Sequence, residues 1–177
     1  MFEHRFSKPG ETQRRNVKQG PESSQGNNEA KLSLLCRVRT HLCAVPLEHV
    51  AETMRPMPVT PLAGSPPFVR GMSVIRGTAI PVVDAGSLLG LVAPASPTRF
   101  VTLKTDRDHV ALAVEEVVGI RSLAAVALND LPPLLRSANA ELVSAVGMLD
   151  RALLLVLQTA RIVPDSVWHS IQSAQDA

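Results

Sequence analysis

The sequence predicts an all-β protein built as two small barrels packed together. Three observations carry that expectation: short apolar segments alternating with polar positions, turn residues recurring between them, and helical patterns that stay brief. A hairpin followed by a strand pair occurs twice along the chain, and closing each set into a barrel removes the open edges that template aggregation. A length of 177 residues suits one domain or two small ones.

Residues 1–30 contain five apolar side chains (Met1, Phe2, Phe6, Val17 and Ala30). Burial there cannot offset the entropy of ordering, so the segment is predicted to be a disordered tail, with the folded domain spanning 31–177. From Leu32 the period becomes two, and Leu32 to Val38 and Leu42 to Val45 form a hairpin around a short polar turn. LEHVAETM follows, closed by Pro56 and Pro58, and then TPLAGSPP, whose prolines and glycine forbid a regular element. FVRGMSVIRGTAIPVVD is extended around Arg76-Gly77, and AGSLLGL is a helical turn ending at Gly90. RFVTLKT and HVALAVEEV flank the turn TDRDH, LVSAVGML and ALLLVL meet at Asp150-Arg151, and Pro164 opens a closing helix from Asp165 to Ala174. Trp168 is expected to staple that helix to the body.

Composition narrows the function. A net charge of +2 is too small for a protein that works by neutralising phosphates, and aromatic residues at 3% leave no material for base-stacking platforms. Two cysteines, Cys36 and Cys43, do not make a disulfide scaffold. They are expected as reduced core thiols in a cytoplasmic protein. The start MFEHRFSKPG has no apolar signal region. No apolar run approaches the ~20 residues of a membrane span, so no direct membrane insertion is expected.

The marks of catalysis are missing. The five histidines stand at no ligand spacing to one another, no GxGxxG or GxxxxGK[ST] is present, and no serine sits in a GxSxG elbow. Neither a metal, a cofactor nor an enzymatic activity is expected.

The segment Val45 to Leu91, VPLEHVAETMRPMPVTPLAGSPPFVRGMSVIRGTAIPVVDAGSLLGL, closely resembles the chemotaxis coupling-protein family, CheW. VALAVEEVVGI and VGMLDRALLLVL resemble later strands of that family, and the likeness runs from Leu32 to Trp168. It implies two five-stranded, SH3-like β-barrels with short helices and a C-terminal helix, and a non-catalytic adaptor. Such a protein bridges the cytoplasmic tip of a chemoreceptor, a methyl-accepting chemotaxis protein, to the regulatory domain of a CheA-type histidine kinase. It lies in the cytoplasm, tied to membrane receptor arrays through those partners.

Carried over residue by residue, the resemblance implies a receptor groove of Val50, Glu52, Gly71, Arg76 and Gly77. Val50 would offer apolar contact to a helix, Gly71 would admit a close backbone, and Arg76 would pair with Glu52 through its planar fork. Gly77 would allow the turn that aims Arg76 outward. Ile80, Val82, Val83, Val146, Gly147 and Leu149 are the candidates for the kinase face. Four departures from the family pattern point to a specialised paralogue serving a pilus or other non-flagellar array. Val74 replaces the usual Asn, the turn RTHL lacks the frequent glycine, Arg99-Phe100 has no aromatic partner, and the tail is long. A competing reading is a ligand-binding or enzyme-regulatory barrel in which Arg76 faces a pocket and holds an anion.

Overall fold

A computed structural model describes residues 32–91, 96–130, 142–159, 162–163 and 168–169. The predicted tail lies outside the described residues, as does the predicted closing helix except for Trp168 and His169, which are helical. The strands are β1 (Leu32–Val38), β2 (His41–Pro46), β3 (Val50–Met54), β4 (Val69–Ile75) and β5 (Thr78–Asp84). After the helical turn α1 (Ala85–Leu88) come β6 (Arg99–Lys104), β7 (His109–Val114), β8 (Glu116–Ser122), β9 (Leu128–Asn129), β10 (Val143–Leu149) and β11 (Ala152–Leu157).

These form a six-stranded sheet, β8-β1-β2-β11-β10-β9, and a five-stranded sheet, β3-β6-β7-β5-β4. The all-β expectation holds, and so do the hairpins read from local alternation. The two sheets are not successive halves of the chain, however. The first hairpin joins the C-terminal strands by a parallel pairing that sets Cys43 opposite Leu155, while β5 runs parallel to β7 with Val83 opposite Leu112. Hairpins announce themselves through their turns, whereas parallel pairing between distant segments leaves no local signal.

Among the described residues, three apolar clusters explain the composition of the strands. The largest lies between the sheets and takes Cys36, Val38, Cys43 and Val45 from one and Val83, Val101, Leu103, Leu112 and Val114 from the other. Behind the five-stranded sheet sit Ile75, Ile80, Val82, Phe100, Ala111 and Ala113, and behind the six-stranded sheet Leu35, Leu42, Ala44, Leu123 and Leu154. Successive residues such as Val82 and Val83 therefore point into different cores. A strand buried on both faces needs a continuous apolar run, which is what LCAV, PVV and VALAV provide. Each Val or Leu so buried contributes roughly 1.5–3 kcal/mol. Trp168 is buried in the largest cluster.

Candidate protein-docking site

β3 and β4 stand at opposite ends of the five-stranded order, yet Glu52 on β3 meets Arg76 in the turn that follows β4. Arg76 Nε donates to Glu52 Oε1 at 2.9 Å, and Arg76 Nη2 donates to Glu52 Oε2 at 2.6 Å. The pair is thus bidentate, and it joins the two edges of a curled sheet. The Arg76 side chain remains 79% exposed and that of Glu52 27% exposed. Hydrogen bonding from Arg76 holds the Glu52 carboxyl below the usual carboxylate range, and Glu52 raises Arg76 in return.

Local backbone irregularities aim these groups. Ala51 is an extra residue between Val50, opposite Leu103, and Glu52, opposite Thr102. Such a bulge re-aims the side chain that follows it. Arg76 and Gly77 form a two-residue turn between Ile75 and Thr78, with φ +51° and +83°. Two positive φ values fit a type I′ hairpin, whose twist suits the flanking strands. Glycine at the second position takes this conformation freely, while Arg76 holds it at a cost of about 1–2 kcal/mol. The turn carries the guanidinium on the exposed side of the sheet edge.

The other groove candidates are placed as follows. Val50 is half-buried and packs on the central core. Gly71 has φ +134°, and a Cβ there would lie 2.0 Å from the Thr60 carbonyl oxygen. The backbone that closes on Gly71 is thus the chain's own: Thr60 and Met72 exchange N–H to O bonds of 2.8 Å each. Val74, one of the departures from the family pattern, is 63% exposed on β4.

The kinase-face candidates divide. Ile80, Val82 and Val83 are buried at 6%, 0% and 0% exposure, because β5 is central and covered on both faces. Their side chains offer a partner no surface, which corrects the expectation for them. Val146 and Leu149 are half-buried against two of the cores, and Gly147 is buried beneath Leu128. The exposed apolar groups of this hairpin are Met148 at 61% and Leu153 at 41%, which face each other across the β10–β11 pair. Sequence reasoning missed them because alternation names a face without saying which face is covered.

A second group of charges went unread. Asp84 accepts from the Ser87 backbone N–H at 2.8 Å and so caps α1, and it also accepts from Arg39 Nη2 at 3.1 Å and Arg70 Nη1 at 3.3 Å. Arg39 donates through Nη1 to Glu115 as well. Burial pushes the Asp84 carboxyl up, but the Ser87 bonds and the Arg39 and Arg70 charges outweigh it and the net direction is down. Cys36 and Cys43 lie opposite each other on β1 and β2, both free and buried. Burial pushes the Cys36 thiol up to about 12 and Cys43 higher still.

Among the described residues no helix is long and apolar enough to cross a membrane. No group of three or more His, Cys, Asp or Glu residues there could hold a metal ion. Among the described residues the arrangement is an all-β module: two sheets around three cores, with a solvent-facing ion pair on one sheet's edge. A model of the CheW-like domain matches residues 33–167, and the chain belongs to that family. Its fold is similar to the crystal structure of the scaffolding protein TtCheW from Thermoanaerobacter tengcongensis. The TM-score is 0.67 at 16% identity, covering 78% of this chain and 95% of the other. No curated protein matches the sequence.

Proposed function

We propose that the protein is a non-catalytic adaptor that couples chemoreceptors to a CheA-type histidine kinase, working in the cytoplasm at receptor arrays. The observation that carries the receptor half is the exposed bidentate Arg76–Glu52 pair at the β3–β4 edge, within a domain of the CheW-like family. A guanidinium held in one plane offers its remaining donors to a polar group on a docked helix, and neighbouring Val74 adds apolar contact. Val50 and Gly71 support the groove from beneath, and Gly77 orients its turn. The kinase regulatory domain docks on the β10–β11 hairpin, where Met148 and Leu153 form an apolar pair beside Val146, Gly147 and Leu149. Exposed apolar pairs of this kind anchor the dry centre of an interface.

The anion-binding alternative is disfavoured because the Arg76 fork is already engaged by a carboxylate and projects into solvent. Co-purification from the protein's own cell extract tests the adaptor reading. Recovery of a methyl-accepting receptor and a histidine kinase supports it, and recovery of neither rejects it. The partners recovered also decide between a flagellar and a pilus or gene-regulatory array.

A further inference from the structure

Arg39 occupies the first turn, where the CheW family often carries glycine, and it keeps a glycine-like backbone with φ +56°. That conformation is unfavourable for a residue with a Cβ. Its side chain is only 10% exposed. Nη2 donates to Asp84 Oδ1 at 3.1 Å, Nη1 donates to Glu115, and the Arg39 backbone N–H donates to Glu115 Oε2 at 3.0 Å. Asp84 ends β5 in the five-stranded sheet, and Glu115 is the residue at which the chain crosses from β7 of that sheet to β8 of the other. One guanidinium carried by the six-stranded sheet therefore grips the end of a strand in its neighbour and the crossover between them.

Gly86 is fitted to this arrangement. A Cβ on it would lie 2.5 Å from Arg39 Cζ, so the guanidinium occupies the space a side chain would fill. The contact continues through Asp84 to Arg70, the extra residue of a bulge in β4 directly before Gly71. Burying such a group costs desolvation, and apolar residues of equal volume would hold the sheets together as well. What the ion group adds is direction, because a planar fork satisfies two carboxylates in one orientation only.

We propose that Arg39 is a clamp that fixes the angle between the two sheets, and so acts as a positioning residue for coupling. The groove at Arg76 lies on the five-stranded sheet and the Met148–Leu153 surface on the six-stranded one. The clamp holds the two in one relation, so partners bound together are set in register. The functional half of this inference rests on the adaptor reading, and the structural half does not.

Residual dipolar couplings on the free protein test the structural half. In the wild type a single alignment tensor fits the amides of both sheets. Arg39→Gly keeps the turn conformation and removes the fork, and each sheet then requires its own tensor while chemical shifts inside each sheet are retained. One tensor for both sheets in the variant overturns the clamp. Should Arg39→Gly not fold, Arg39→Lys keeps the charge with a single donor point and gives the same readout. For the functional half, Arg39→Gly binds a receptor cytoplasmic fragment and the kinase regulatory domain separately within about twofold of wild type. Kinase activation in the ternary assembly falls by about tenfold. Loss of the separate affinities together with activation contradicts a positioning role. A wild type that binds neither partner rejects the adaptor reading, and the dipolar couplings still decide the clamp.

Discussion

The Arg76 guanidinium grips the Glu52 carboxylate through two nitrogens across the two edges of one sheet. Because the pair faces solvent, its share of the folding free energy is small, and its value lies in orientation. Glu52→Gln is expected to unfold within about 2 °C of the wild type in a thermal melt. The hydrogen bond from Arg76 depresses the Glu52 carboxyl, so the charged pair is complete above the ordinary carboxylate range and is lost only as pH falls through the lowered value. Receptor affinity should accordingly be flat through neutral pH and decline in acid, and a Glu52→Gln titration should lack that acid decline.

Gly71 and Gly77 both have positive φ, but their surroundings differ. A Cβ on Gly71 would strike the Thr60 carbonyl, whereas nothing lies within 4 Å of one on Gly77. Gly71→Ala is expected to cost about 2–4 kcal/mol by urea unfolding, the sum of overpacking and strain. Gly77→Ala should cost about 1 kcal/mol, from backbone strain alone.

The facing thiols of Cys36 and Cys43 predict an alkaline weakness. Both are held protonated in the fold, Cys36 to about 12 against a reference of 9.0. Their contribution is intact below the unfolded value and is lost as pH rises from there toward the folded one. Stability should fall by about 1.4 kcal/mol per pH unit for each thiol over that range. Denaturant titrations of the wild type and of Cys36→Ala between about pH 8 and about pH 10, across the ordinary thiol range, should diverge, with the variant flatter. A thiol reagent should label neither cysteine until the protein unfolds.

Asp84 carries three bonds from two arginines and a helix turn, so removing it strands buried donors. Asp84→Ala is expected to cost about 3–5 kcal/mol in urea unfolding at pH 7. Its depressed carboxyl contributes above the ordinary aspartate value and loses that contribution on acidification. The gap between Asp84→Ala and wild type should therefore narrow below about pH 4.

The opposed Met148 and Leu153 are exposed without being needed by any core. Met148→Asp is expected to leave the thermal midpoint near that of wild type and to weaken binding of the kinase regulatory domain by roughly tenfold or more in a calorimetric titration, with receptor binding unchanged.

Much of the fold was legible because hairpins and turns are local. The alternation from Leu32 to Val38, the turn at Arg76-Gly77 and the helical turn AGSLLGL each carry their own signal. The pairing of β2 with β11 carries none, and it is what interleaves the ends of the chain into one sheet. The Glu52–Arg76 contact was reached through a family likeness and not through spacing, since 24 residues separate the partners. PVV was misread as a docking face because a doubly buried strand and an apolar surface are written in the same residues. Arg39 showed in the sequence only as an absent glycine; its role depends on Asp84, Gly86 and Glu115, which only folding brings together.

Calorimetric titration of a receptor cytoplasmic fragment into wild type and Arg76→Ala tests the central claim most directly. The account predicts an intact fold and an affinity lower by at least roughly tenfold in the variant. Equal affinities would contradict it and remove the β3–β4 edge as the receptor's seat.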